Sequence, residues 1–127
     1  MKIPDTLQYT KDHEWISIED GVATVGITEF AQGELGDIVY VEVETKDEQL
    51  QISDVFGSVE AVKTVSDLFM PLSGTIIEFN YKLEDEPELI NDDPYGKGWM
   101  IKIQLDASSN ETSNLLNAGS YKELIGA

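Results

Sequence analysis

From Glu14 to Leu105 apolar residues recur mostly at alternate positions, in short runs bounded by turn formers, which is the period of half-buried strands. Trp15, Ile16 and Ile18 precede Glu19-Asp20-Gly21, and Val22, Val25 and Ile27 follow it, so this stretch reads as a hairpin. Strands are predicted near residues 14–18, 22–27, 38–43, 55–62, 65–70, 74–79 and 98–105. One short helix interrupts them at about 28–35: Thr28 is a good N-cap, Glu29 suits the first turn, Phe30, Ala31 and Leu35 are apolar, and Gly36 can end it. The prolines and carboxylates of 83–96 predict an extended loop. A helical tail is expected over about 111–125, with Thr112 or Ser113 capping Leu115-Leu116 and Ser120 capping Tyr121 to Ile125. Gly36 to Val41 and Gly74 to Phe79 echo one another, as a repeat or as two similar amphipathic strands. The pattern is that of a mainly β protein.

At 127 residues, 41% hydrophobic and 26% charged, the chain suits one domain spanning 1–127, with a core over about 9–105. Charge narrows its partners. All eight cations are lysines, there is no arginine, and 25 carboxylates bring the net charge to −17. Such a surface repels nucleic acid and anionic membrane and suits basic protein faces, unless the acidity serves solubility alone. With no cysteine, thiolate nucleophiles, disulfides and Cys-ligated zinc are excluded. With His13 as the one histidine, so are HExxH and three-histidine metal centres. The acidic stretch in 83–96 does not fit EF-hand spacing, and no metal site is expected. No apolar run approaches the roughly 18 residues of a membrane span, and Met1-Lys2-Ile3-Pro4-Asp5 lacks a signal's apolar stretch, so a cytoplasmic protein is expected.

The chemistry converges on Gly57-Ser58-Val59-Glu60-Ala61-Val62-Lys63-Thr64-Val65-Ser66-Asp67-Leu68, where two strand patterns meet at one lysine without Gly, Pro or Asn to mark an ordinary turn. A tight hairpin there puts the Lys63 amine at its apex, within reach of an external enzyme. A lysine at an exposed turn is by itself an ordinary solubilising residue. Its setting is more specific. Tyr9 to Trp15, Val25 to Gln32, Leu35 to Val39, Gly57 to Lys63, Ser66-Asp67, Pro71 to Gly74 and Asn91 to Met100, in that order, resemble the H-protein family of the glycine cleavage system.

That resemblance implies a lipoyl/biotinyl-type barrel-sandwich hybrid with lipoic acid joined as an amide to Lys63. It implies a non-catalytic carrier of glycine catabolism and one-carbon metabolism. The aminomethyl group of glycine would pass from a pyridoxal-phosphate glycine decarboxylase (P protein) to a tetrahydrofolate-dependent aminomethyltransferase (T protein), and dihydrolipoyl dehydrogenase (L protein) would reoxidise the arm. A dithiolane supplies the redox sulfur that a cysteine-free chain lacks, and a tether raises its local concentration at each docked partner. Glu60 and Asp67 would help a lipoylating enzyme recognise the hairpin, or are simply solvated strand ends. Glu14 and Asp67 would face the ammonium of the loaded arm in a parking cleft with His13 as neighbour, although His13 also reads as a ring packed beside Trp15. Asp12 replaces the small hydroxyl residue of the family pattern, and 44–51 lacks its usual Pro and Gly. A shuttle visiting several partners is expected to be a monomer.

Other readings compete, among them a lipoyl domain of an acyl-dehydrogenase, from which the Trp15 and Tyr95-Gly96-Lys97-Gly98-Trp99 blocks set this chain apart, and a purely structural interaction module, in which Lys63 stays unmodified. Biotin domains expect Met on both sides of the lysine, where this chain has Val62 and Thr64. A Schiff-base enzyme using Lys63 with Glu60 as base needs a desolvated pocket that a hairpin apex does not offer. An H-like protein relaying lipoyl groups to other enzymes shares all of these motifs.

Overall fold

The computed structural model describes residues 2–106 and 111–126. Strands β1 (Gln8–Tyr9), β2 (Glu14–Glu19) and β3 (Val22–Ile27) lead into helix α1 (Glu29–Leu35), followed by β4 (Ile38–Glu42), β5 (Gln49–Leu50), β6 (Val55–Ala61), β7 (Val65–Phe69) and β8 (Gly74–Phe79). Two single-turn helices, α2 (Lys82–Asp85) and α3 (Leu89–Asp92), precede β9 (Ile101–Leu105), and helix α4 (Ala118–Ile125) closes the chain. The strands form a six-stranded sheet ordered β1-β2-β3-β9-β8-β5 and a three-stranded sheet ordered β4-β6-β7, with antiparallel pairing throughout. Together they make an open barrel-sandwich. The echoing segments fall in different sheets, as β4 and β8.

The β2–β3 turn works because Asp20 (φ 52°) and Gly21 (φ 78°) both take the left-handed conformation that a two-residue hairpin turn requires. Thr28 caps α1 by accepting the Ala31 N–H at 3.1 Å, and Gly36 ends it at φ 83° with its N–H on the Gln32 carbonyl. Between the sheets, Ile16, Val25, Ile76 and Ile103 of one meet Ile38, Val41, Val59 and Leu68 of the other. Trp15 points the opposite way from Ile16, as alternation requires, and joins Ile3, Tyr9, Ala118 and Tyr121 in a second cluster under α4.

The two-residue strands β1 and β5 lie outside the predicted set, and the structure departs from the sequence expectations in four further places. The segment 83–96 is not an extended loop: α2 and α3 bury Leu83 and Ile90 completely while their carboxylates face outward, and Pro87 separates the two turns. Predicted strand 98–105 starts at Ile101, because the Gly98 and Trp99 N–H groups are spent within the preceding turn, on the Asp93 and Gly96 carbonyls at 2.9 and 3.2 Å. In the tail, Glu111–Asn114 forms one 3-10 turn, and Leu116 instead pairs with Tyr9 through two backbone bonds of 2.8 and 2.7 Å. Asn117, not Ser120, caps α4, its side-chain oxygen accepting the Ser120 N–H at 2.8 Å.

Candidate functional site

Strands β6 and β7 meet at Val62-Lys63-Thr64. None of these three has a positive φ, which explains how the turn forms without glycine. Ala61 N–H donates to the Thr64 carbonyl at 2.7 Å, and Val62 N–H donates to the Asp37 carbonyl at 3.1 Å, tying the apex to the segment that follows α1. Lys63 is exposed, and its chain lies along the end of that helix: a Cβ on Gly36 would stand 3.6 Å from Lys63 Cε and 4.0 Å from Nζ.

Beside this apex a cavity of about 590 Å³ opens between the turn before β2, helix α1 and strands β6 and β7. His13, Glu14 and Asp67 all line it, together with Lys11, Asp12 and Glu34 and an apolar wall that includes Ile27, Phe30, Leu35 and Leu68. Its volume is in the range of small-molecule sites. Glu60 is not among the lining residues; it stands exposed on the outer face of the three-stranded sheet. Asp67, on edge strand β7, lines the cavity and also shares an outer-face recess with Glu42 and Ser58.

Glu14 is the most unusual group in the cavity. It is 2% exposed; one carboxyl oxygen accepts from the Thr10 hydroxyl at 3.2 Å, while Oε2 is buried without a hydrogen-bond partner. Burial, helped by the nearby Asp12 charge, pushes its pKa up to about 8, against the pull of the Thr10 hydroxyl and of the nearby Phe69 backbone, whose N–H completes no hydrogen bond to Oε2. The carboxyl is therefore largely protonated at neutral pH. His13 is held at φ 67°, and burial pulls its pKa down against the carboxylates of Asp12 and Glu34. Its Nδ1 lies 3.0 Å from the Tyr121 hydroxyl, which is 2.7 Å from the Thr28 hydroxyl that caps α1. The rings against His13 are Phe30 and Tyr121, at 4.9 and 5.8 Å, rather than Trp15, which faces Tyr95 and donates its indole N–H to the Pro94 carbonyl at 2.8 Å.

Thr10, Phe30 and Tyr121 escaped the sequence reading. Thr10 carried a signal: its hydroxyl accepts the N–H groups of Asp12 and Glu14 at 3.2 and 3.3 Å, the habit of a Thr that opens a turn. Tyr121, more than ninety positions from either partner, carried none.

An antiparallel barrel-sandwich thus holds one lysine out on a hairpin, next to an acid-lined cavity, and the comparisons place this arrangement in a class of carrier proteins. The family description "Glycine cleavage H-protein" matches residues 7–127. Glycine cleavage system H proteins of Staphylococcus epidermidis and Salinibacter ruber are 54% identical over 126 residues (99% of each chain) and 56% identical over 124 residues (98% of this chain, 99% of the relative). The crystal structure of a glycine cleavage system H protein from Mycobacterium marinum matches with a TM-score of 0.89 at 41% identity, covering 98% of this chain and all of that one. The chain belongs to the glycine cleavage H-protein family, whose members are lipoyl-bearing carrier components of the glycine cleavage system.

Proposed function

We propose that Lys63 carries lipoic acid through an amide on Nζ. In this reading the chain takes the aminomethyl group of glycine from the pyridoxal-phosphate decarboxylase and presents it to the tetrahydrofolate-dependent aminomethyltransferase, and dihydrolipoyl dehydrogenase restores the oxidised arm. The observation that carries this reading is the exposed Lys63 amine lying along the end of α1, the helix that walls the acid-lined cavity. The lipoyl group supplies the redox sulfur and the acceptor atom that a cysteine-free chain lacks. Everything else falls to positioning by the protein, which acts as a carrier and not as an enzyme.

Lys63 holds the arm, and acylation removes a charge that would resist burial. Glu60 and Asp67, three before and four after it, serve as marks for the lipoylating enzyme. His13, Glu14 and Asp67 form the cleft in which a loaded arm is shielded from water. Glu14 keeps a proton on its carboxyl while the cavity holds no cation; an ammonium placed beside Oε2 provides the missing partner, and the proton leaves to solvent.

The test is Lys63→Arg, which keeps charge and stem but removes the acylable amine. The variant should fold as the wild type does by circular dichroism, gain no lipoyl mass and support no glycine cleavage in a reconstituted system. Lipoyl mass on Lys46 or Lys97 with Lys63 bare, or activity retained by the variant, overturns the reading. A lipoylated wild type that the decarboxylase never loads indicates a lipoyl relay instead.

A further inference from the structure

Three apolar side chains crowd the apex in solvent: Val62 is 76% exposed, Val65 61% and Tyr40 49%. Hairpin tips are ordinarily polar, and exposed apolar groups that cluster, unlike those scattered singly, mark interaction sites. The register sets two of them on one face with Glu60 between, since Tyr40 pairs with Glu60 and Glu60 with Val65 across β4, β6 and β7. Directly opposed residues share a face, so Tyr40, Glu60 and Val65 form one row across the outer side of the sheet. The next outward-facing row is Glu42, Ser58 and Asp67. Two residues along a strand is about 7 Å, so the Glu42 and Asp67 carboxylates stand within a Debye length of about 8 Å at physiological salt from the row that already holds Glu60.

We propose that this face is the docking surface for the enzyme that acylates Lys63, and that it fits a partner surface with apolar contacts for Tyr40, Val62 and Val65 and with lysine or arginine facing Glu60, Glu42 and Asp67. The inference rests on Lys63 being the acylated residue. Reach selects the occupant. Partners that act on the far end of an attached arm work many bonds away from the apex. The acylating enzyme must bring Nζ itself to its reacting centre and therefore has to grip the residues beside it. With an acyl adenylate as donor, Nζ forms a bond to the acyl carbon, the acyl–oxygen bond to phosphate breaks and the nucleotide monophosphate leaves with that electron pair. The Lys63 ammonium gives up two protons overall.

The experiment uses the unmodified full chain, a purified ATP-dependent lipoate ligase and lipoate. Tyr40→Thr combined with Val65→Thr keeps β-branched residues on the ladder while removing the apolar surface. The double variant should raise KM for the protein about tenfold with kcat within about twofold, as expected when anchors at the centre of a contact are lost. After exhaustive lipoylation, its turnover by dihydrolipoyl dehydrogenase should match the wild type. Val62→Thr, outside the strand ladder, should raise KM in the same direction and serves if the double variant does not fold. Unchanged KM in the folded variants overturns the inference, and so does an equal loss in the dehydrogenase assay, which marks a general docking face. Failure of the wild type to acquire lipoyl mass on Lys63 overturns the carrier reading instead, and this inference with it.

Discussion

Glu14 shows how one carboxyl can be set by its neighbours. Burial and Asp12 raise its pKa to about 8, whereas in the unfolded chain it returns to the ordinary value of 4.5. Below 4.5 both states hold the proton and Glu14 imposes no charge penalty. As pH rises from there to about 8 the unfolded state ionises first, so stability falls, and the loss is complete above the folded value. A shift of this size corresponds to roughly 3 to 5 kcal/mol. Urea unfolding from pH 4 to 9 should therefore show the wild type losing stability relative to Glu14→Gln through this window, with the two variants converging at the acid end. Parallel curves would show that Glu14 is ionised and solvated in the fold. Lys63 was legible from sequence because an apex is a local property of two strand patterns. The orphaned oxygen of Glu14 was not, since its burial depends on α1 and β7 closing over it.

Among the elements, the segment around α3 does more than link strands. Asn91 accepts the Ile38 N–H at 2.9 Å and donates to the Gly36 carbonyl at 2.9 Å and to the Gln32 side chain at 2.8 Å. It thereby joins α3, the end of α1 and the start of β4, the same end of α1 along which Lys63 lies. Asn91→Ala strands the Ile38 N–H and the Gly36 carbonyl, and leaving buried polar groups unpaired should cost about 1 to 3 kcal/mol in chemical denaturation. A cost near zero would mean that water replaces the clamp. Prolines and charge make this region read as extended in the sequence, whereas its buried pair, Leu83 and Ile90, stands seven positions apart. Turns of four residues carry too little periodicity to be seen in advance.

Over the whole molecule the net charge is −17, and among the described residues ion pairing offsets little of it. Lys46 with Asp47 and Lys102 with Glu78 pair at 3.6 Å in solvent, where such bridges contribute about 0 to 1 kcal/mol. The carboxylates are thus available to steer basic partners. Raising salt should slow association with the decarboxylase and the aminomethyltransferase, seen as a higher KM for this protein while kcat holds, because screening acts on encounter more than on the docked complex. Stopped-flow rates that stay flat across a salt series would assign the acidity to solubility. No helix among the described residues is long and apolar enough to cross a membrane.

The positions of the seven longer strands along the chain, the capped helix at 28–35 and the lysine between two strand patterns were determined by the sequence itself. Each rests on interactions between residues a few positions apart: alternation, a Thr cap, an Asp-Gly turn. Only the tertiary structure decided that His13, Glu14 and Asp67 share one cavity, that Tyr121 reaches back to His13 and Thr28, and that Tyr40 stands in a row with Glu60 and Val65. Those relations depend on strand register and on the closing of one sheet over the other, which no local pattern encodes. The physical reason is desolvation: a carboxyl holds its proton, with one oxygen left unpartnered, only once distant segments have removed its water.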